Sequence, residues 1–282
     1  MINALPTPAT YTRVLLQNTP AKDRPALLQG TGLLESSLPT SRFIRADQQL
    51  QVFRNASQLS KNPNWALALG QQLNINSHGS LGFAAMSAPN LGTSLDSLSA
   101  FGRIRAPYLL FGFKQIQDQY HFTIEPALDL GGIAMFIDEI VLQVAASLIK
   151  TVLGHMVPGI KIMLGYPAPE HASEYPEYFS APCEFNQHIT RIELPQRLCK
   201  VPCVLHDQQT YISSLARCRI SLAAIIDSSD VVTQTQNIFA SHFDQIAAGT
   251  IIGESPQLDD IANSLYMSPR TLIRKLAVQG SG

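Results

Sequence analysis

Two Ser-Pro pairs near the C-terminus, Ser255-Pro256 and Ser268-Pro269, lie thirteen residues apart and strongly constrain the local fold. Serine can cap the free amides at the start of a helix, and proline fits the first helical position, where no amide donor is needed. Asp259 and Asp260 follow the first pair, where the helix dipole favours negative charge. The spacing therefore predicts two short helices, each beginning at one pair.

The apolar residues of this segment are spaced so that the two helices can pack against each other. They are Leu258, Ile261, Ala262 and Leu265 in the first helix, and Leu272 and Leu276 in the second. Ala262 is small at the predicted crossing, which allows a close approach. The link Tyr266-Met267-Ser268 has the length that a helix-turn-helix requires.

The second helix has the charge pattern of a DNA-reading helix. Arg270 and Arg274 are four residues apart and share a face with Ile273, so both can reach base edges in a major groove. Hydroxyl and lysine side chains beside them suit phosphates. The predicted DNA-binding residues are Ser268, Pro269, Arg270, Thr271, Ile273, Arg274 and Lys275. A solvated helical hairpin is the alternative, because residues 229–282 contain three Lys/Arg and five Asp/Glu, a net charge of −2.

The rest of the chain has the pattern of an α+β fold. Hydrophobic residues make up 45% and charged residues 15%, and the net charge is −1, so the chain is predicted to be globular without a general basic field. Helices are predicted at residues 23–29, 46–59, 64–73, 91–104, 133–153 and 208–226, with Gly30 and Gly70 as stops and a break at 79–83. Strands are predicted as a hairpin at 108–117 and 119–126, a strand at 161–166 and a strand pair at 184–194.

The polar stretch 227–230 is predicted to be the boundary between two domains. Residues 1–228 form a mixed helix/sheet domain, and residues 229–282 form a partial all-α helix-turn-helix domain. In the second domain, Val232, Phe239, Phe243 and Ile246 share a helix face, and Gly249 supplies a stop.

Several classes of function are not supported by any motif. The sequence has no GxSxG turn, P-loop, GxGxxG or zinc-type Cys/His spacing, so neither an enzyme, a cofactor nor a metal is predicted. Cys183, Cys199, Cys203 and Cys218 are predicted to be reduced thiols. The N-terminus lacks the pattern of a secretory signal, and the apolar run 133–153 is interrupted by charges. A core helix in a cytoplasmic protein, with no membrane partner, is therefore predicted.

The run 261–276 resembles the first helix-turn-helix of the AraC/XylS family of bacterial transcriptional regulators, notably in Met267-Ser268-Pro269-Arg270-Thr271-Leu272. Residues 81–83, 91–92, 175–179 and 181–185 are similar to landmarks of the subgroup with an arabinose-binding-type N-terminal domain. Tyr266 departs from the glycine that is usual in this turn. The family also has a second helix-turn-helix, for which nothing up to Gly282 provides sequence, so a fragment or a shortened protein is expected.

The resemblance implies a sequence-specific DNA-binding regulator whose N-terminal domain binds a small-molecule effector and can form a homodimer. In that family, the residues at the positions of Arg270, Ile273 and Arg274 face the bases. The sequence does not define the effector site. The search region is 108–122 together with the helix from Ile133, with His121, Glu125 and His155 as candidate polar contacts. The alternative is an effector-binding or dimerisation module without independent DNA binding.

Overall fold

The computed structural model describes residues 5–155, 157–227, 231–247, 255–265 and 267–278. Its helices are α1 (Thr10–Asn18), α2 (Arg24–Leu27), α3 (Ala46–Leu59), α4 (Trp65–Gln72), α5 (Ser80–Ser87), α6 (Leu91–Phe101), α7 (Ala134–Leu153), α8 (Tyr175–Phe179), α9 (Gln196–Cys199), α10 (Gln208–Asp227), α11 (Val231–Ala247), α12 (Leu258–Ser264) and α13 (Pro269–Val278). Short 3₁₀ turns lie at Ile75–His78 and Gly102–Ile104.

Strands form two sheets in the described part of the chain. They are β1 (Pro6–Pro8), β2 (Phe43–Arg45), β3 (Leu109–Ile116), β4 (Gln119–Pro126), β5 (Lys161–Met163), β6 (Cys183–Glu184) and β7 (Thr190–Pro195). β1 pairs with β2, and the other five strands form a sheet in the order β3-β4-β7-β5-β6. In this sheet β5 and β6 run parallel, and the other neighbours are antiparallel. The mixture of helices and sheets confirms the predicted α+β class.

The β3–β4 hairpin forms because two strand-prone segments flank a two-residue turn. Ile116 pairs with Gln119, and Leu109 pairs with Pro126 at the far end. Gln117 has a φ of 53°, the left-handed backbone that matches such a turn to the twist of its strands. The predicted hairpin is confirmed.

Helix α7 forms a wall of the hydrophobic core. It packs against α4 and contacts β7. Gly70 was predicted to end a helix, but it lies inside α4, where a Cβ atom would come within 2.6 Å of Gln143 Cβ. Glycine at this position therefore serves the close approach of α4 to α7 rather than a stop.

The segment Gly131–Leu153 is long and apolar enough to span a membrane. Buried core helices of soluble proteins can have the same length and composition. Of the 18 residues that form its most apolar stretch, 56% are buried inside the protein. Glu139 and Gln143 on this helix are themselves buried. These features agree with the predicted core helix.

Two local predictions were wrong. Residues 80–83 belong to α5, and the break is confined to Gly79, whose φ of 58° precedes the helix. Residues 184–194 do contain strands, but they do not pair with each other. β6 pairs with β5, while β7 lies between β4 and β5.

The C-terminal helices follow α10, which packs against α5. Helix α10 confirms the prediction for residues 208–226, whereas Ser228–Asp230 of the predicted boundary and Gly249 lie outside the described residues. On α11, Val232, Phe239 and Ile246 are half-buried, but Phe243 is 51% exposed. All four cysteines are free thiols, and burial raises the pKa of Cys199 and of Cys203 to about 11.

Candidate functional site

Helices α12 and α13 pack through a small apolar seam. Ile261, Ala262 and Leu265 on the α12 side are buried, and Leu272 of α13 has no exposed surface. Ala262 is also fully buried, so a small side chain allows the two helices to meet. Both helices also contact α11, which completes a three-helix unit.

The start of α13 is capped as the sequence predicts. Pro269 is the first helical residue, and the Thr271 amide donates a hydrogen bond to Ser268 Oγ at 3.2 Å. The hydroxyl groups of Ser268 and Thr271 also lie 2.9 Å apart. The Met267 amide donates to the Ala262 carbonyl at 3.0 Å, which ties the turn to α12. Tyr266 lies outside the described residues.

The start of α12 differs from the prediction. The helix begins at Leu258, so Ser255 and Pro256 precede it instead of capping it. The Gln257 amide donates to the Asp260 carboxylate at 3.0 Å, and this bond takes the place of the predicted serine cap. Leu258 is 41% exposed and is not part of the seam.

One face of α13 is left open to solvent. Arg270 and Arg274 are exposed, and Ile273 between them is 53% exposed. Thr271, Lys275 and Pro269 are half-buried, whereas Ser268 is exposed. The structure thus brings the two predicted arginines together on a helix whose opposite side is fixed by Leu272. Each guanidinium can offer two parallel donors to an acceptor pair.

A second candidate site is a cavity between the β3–β4 hairpin and α7. It encloses about 640 Å³, counting the space at its mouth. Most of its lining is apolar, including Phe53, Phe111, Phe122, Ile137, Ile140 and Val144.

Polar side chains line one part of the cavity. Arg105 Nε donates to Tyr11 Oη at 3.1 Å, and Arg105 Nη2 donates to the Ser77 carbonyl at 2.6 Å. Tyr11 Oη lies 3.0 Å from His78 Nδ1. Burial lowers the pKa of His78 to about 4, and the charge of Arg105 acts in the same direction, so His78 is neutral at pH 7. Arg105 is therefore the charged group of this cluster.

The cavity is lined in part by residues of both segments of the search region, 108–122 and the helix from Ile133. However, none of the three candidate polar contacts lines it. His121 Nε2 is 3.9 Å from Glu193 Oε1, His155 is exposed, and Glu125 lies on β4. Tyr11, His78 and Arg105 were not predicted as site residues, because they come from separate parts of the chain. A signal that could have drawn attention to Arg105 is that it and Arg103 are the charged residues of a mostly apolar stretch, 101–113.

Two acids on α7, the half-buried Asp138 and the buried Glu139, lie in sequence between Ile137 and Ile140 of the cavity lining. Glu139 is fully buried, accepts a hydrogen bond from Tyr175 Oη, and lies 3.9 Å from His171 Nε2. Asp138 accepts a hydrogen bond from Thr190 Oγ1 at 2.5 Å. Burial raises the pKa of both carboxyl groups to about 7. Among the described residues, no group of His, Cys, Asp and Glu has the arrangement of a metal site.

Comparisons with known proteins agree with these features. Residues 22–203 match the family model of the arabinose-binding domain of AraC transcription regulators, N-terminal part. The ornithine utilization regulator of Pseudomonas aeruginosa PAO1 is 25% identical over 233 residues, which are 82% of this chain and 66% of that protein. The crystal structure of the transcriptional regulator CdpR from Pseudomonas aeruginosa has a similar fold. Its TM-score is 0.56 at 16% identity, over 96% of this chain and 80% of CdpR.

The proteins found by these comparisons are transcription regulators rather than enzymes, as the sequence predicted. The family match also spans more than half of the chain, and it includes every residue of the cavity lining except Tyr11 on α1. The chain therefore belongs to the AraC family of transcription regulators, in the subgroup with an arabinose-binding-type N-terminal domain.

Proposed function

We propose that this chain is a sequence-specific DNA-binding transcriptional regulator that responds to a small-molecule effector. The observation that carries the proposal is the arrangement of α13. Leu272 fixes one side of this helix against α12, while Arg270, Ile273 and Arg274 face solvent on the other. A helix held in this way can enter a major groove with its arginines directed at base edges.

We assign effector binding to residues 1–228 and DNA binding to residues 229–282. The family match at residues 22–203 and the cavity both fall in the first region, which supports this division. The apolar seam between α12 and α13 falls in the second. A regulator of this kind acts on bacterial DNA in the cytoplasm, and homodimer formation stays a prediction that sedimentation of the purified chain can measure.

Ornithine, the compound in the name of the Pseudomonas aeruginosa relative, is one effector to consider. At neutral pH ornithine has one carboxylate and two ammonium groups. Among the residues that the structure describes, the cavity lining contains Arg105 but neither aspartate nor glutamate. The lining therefore offers a partner for the carboxylate and none for the side-chain ammonium group, which favours an effector with an uncharged body.

The second candidate function is an effector-binding or dimerisation module without independent DNA binding. The charge balance of residues 229–282 favours it, because three Lys/Arg against five Asp/Glu leave a net charge of −2. Phosphate contacts supply much of the affinity of DNA-binding proteins, so a region with few cations binds weakly.

An electrophoretic mobility shift with DNA from upstream of the protein's own gene tests the proposal. We expect the chain to retard this DNA more strongly than a shuffled sequence of equal length. The double variant Arg270→Ala/Arg274→Ala should bind more weakly, by about 1–3 kcal/mol for each lost arginine–guanine contact, or roughly 5- to 150-fold in Kd.

The matched control is Arg217→Ala/Arg219→Ala, which removes two exposed arginines from α10 and changes the net charge equally. It should retain most of the binding if α13 is the reading helix. Equal losses in both double variants would contradict the assignment of α13. Absence of any retardation, with the chain folded, would favour the module without DNA binding.

A further inference from the structure

We propose that the cavity beside α7 binds a monocarboxylate with an apolar body, whose carboxylate pairs with Arg105 and whose body packs on α7 and the β3–β4 hairpin. This inference rests on the proposed effector role of residues 1–228 and names the chemical class of the effector. A medium-chain fatty acid is a simple member of that class.

The charge of Arg105 indicates an anionic ligand. Its guanidinium donates to Tyr11 Oη and to the Ser77 carbonyl and lies 5.2 Å from the centre of the Tyr11 ring. All these partners are neutral. Among the described residues, no carboxylate lies within ion-pair distance of Arg105. A half-buried cation without an anionic partner is stabilised when a carboxylate enters and accepts charge-assisted hydrogen bonds.

The hydrogen bonds around Arg105 fix the polarity of this end of the cavity. Because Arg105 Nε donates to Tyr11 Oη, the hydroxyl proton of Tyr11 is left to donate to His78 Nδ1, 3.0 Å away. His78 Nε2 then carries the proton and faces the Leu73 carbonyl at 3.4 Å. In this arrangement His78 is neutral, Tyr11 is engaged on both sides, and Arg105 holds the positive charge. A ligand with an ammonium group at this end would be repelled.

The remaining surface suits an apolar body. Phe53, Phe111 and Phe122 supply aromatic faces, and Ile137, Ile140 and Val144 form a stripe along α7. Burial of a hydrocarbon chain against these side chains is favourable by roughly 25 cal/mol per Å² of apolar surface removed from water. The contribution of the ligand's apolar body to binding can therefore be measured separately from the contribution of its carboxylate.

The same lining argues against a sugar, although the family is described by arabinose binding. A pentose has hydroxyl groups around its whole ring, and each buried hydroxyl requires a partner. Here the polar side chains lie at one end, and Tyr108 Oη already donates to Gln49 Oε1 at 3.0 Å. Most hydroxyl groups of a bound sugar would face Ile140, Val144 and the phenylalanine rings without hydrogen bonds.

The single tryptophan of the chain provides a local probe of this cavity. Trp65 is buried, and its ring centre lies 6.5 Å from that of Phe53, a residue of the cavity lining. We expect decanoate to change the fluorescence of Trp65 in a saturable way and to give binding heat in a calorimeter. Decanol should bind more weakly, and decylamine and arabinose should give neither signal.

The central variant is Arg105→Met, which keeps much of the side-chain volume and removes the charge. It should weaken decanoate binding by roughly ten- to hundredfold and leave decanol binding unchanged. The matched control is Arg45→Met, which removes an exposed arginine paired with Asp47 and should bind decanoate like the original chain. If Arg105→Met does not fold, Val144→Phe fills the cavity with Arg105 intact and should abolish both decanoate and decanol binding.

Equal affinities for decanoate and decylamine, or unchanged decanoate binding in both cavity variants, would overturn the inference. An absence of signal with decanoate would do the same. These outcomes are independent of DNA, because Arg270→Ala/Arg274→Ala should still bind decanoate. Loss of ligand binding with intact DNA retardation therefore rejects the ligand class, whereas intact ligand binding without DNA retardation rejects the DNA-binding proposal.

Discussion

Gly82→Ala is expected to lower the free energy of unfolding by about 3 kcal/mol, because α5 lies against backbone at this position. A Cβ atom on Gly82 would be 1.9 Å from the Ile75 carbonyl oxygen and 3.0 Å from its carbon. Backbone atoms of the 3₁₀ turn Ile75–His78 cannot swing aside as a flexible side chain can. Denaturant titration followed by circular dichroism measures this loss as a lower midpoint.

The matched control is Gly132→Ala. Gly132 also lies in a short helical turn, but a Cβ atom there meets no atom of the described residues within 4 Å. Its stability should change by no more than about 0.5 kcal/mol. Equal midpoints for the two variants would show that the turn can move away from α5. Since His78 belongs to that turn, Gly82→Ala should also weaken ligand binding in the cavity.

Glu139→Gln is expected to stabilise the protein at alkaline pH and to reduce the dependence of stability on pH. Burial raises the pKa of Glu139 to about 7, and the nearby charge of Asp138 adds to it, whereas the hydrogen bond from Tyr175 opposes it. Glutamine keeps an oxygen that can accept the Tyr175 hydrogen bond. The variant thus removes the buried charge while preserving its main contact.

The direction of this pH dependence of stability follows from how tightly the folded and unfolded states bind the proton. The usual pKa of glutamate is 4.5, so between about pH 4.5 and pH 7 the folded state holds the proton more tightly than the unfolded state. The stabilising contribution of Glu139 to the free energy of unfolding is therefore complete below pH 4.5 and is lost as the pH rises through 7. Asp138, whose pKa is also raised to about 7, acts in the same direction.

We expect Glu139→Gln to gain about 1–3 kcal/mol over the original chain at pH 8 and much less at pH 5. Thermal unfolding across this range measures the difference. Glu177→Gln, a change of an exposed carboxylate on α8, is the control and should follow the original chain. A constant offset between Glu139→Gln and the original chain at all pH values would show that Glu139 does not titrate in this window.

Much of the secondary structure could be predicted because its signals are local. The apolar spacing of α3, α6, α7 and α10 and the alternation around the β3–β4 turn are readable from sequence. The pair β1–β2 was missed because each strand has three residues, too few for a periodic signal, and its register joins Thr7 to Ile44 across the intervening helices. The break predicted at 79–83 failed because Gly82 serves close packing instead of a turn.

The two candidate sites differed in how far the sequence could define them. Arg270, Ile273 and Arg274 lie on one helix, so their common face follows from helical geometry alone. Tyr11, His78 and Arg105 are brought together by the packing of α1, a 3₁₀ turn and the segment before β3. Such a cluster depends on tertiary structure, and no spacing in the sequence encodes it.

Helix α7 contributes residues both to the cavity lining and to a pair of acids with their own hydrogen bonds. Ile137 and Ile140 line the cavity, while Asp138 and Glu139, between them in sequence, turn toward Thr190 and Tyr175. A ligand that displaces α7 would change the surroundings of both acids. Protonation of either acid would change the cavity in return. Ligand affinity and the pKa of the two acids would then be linked, so the affinity of the cavity for its ligand would depend on pH.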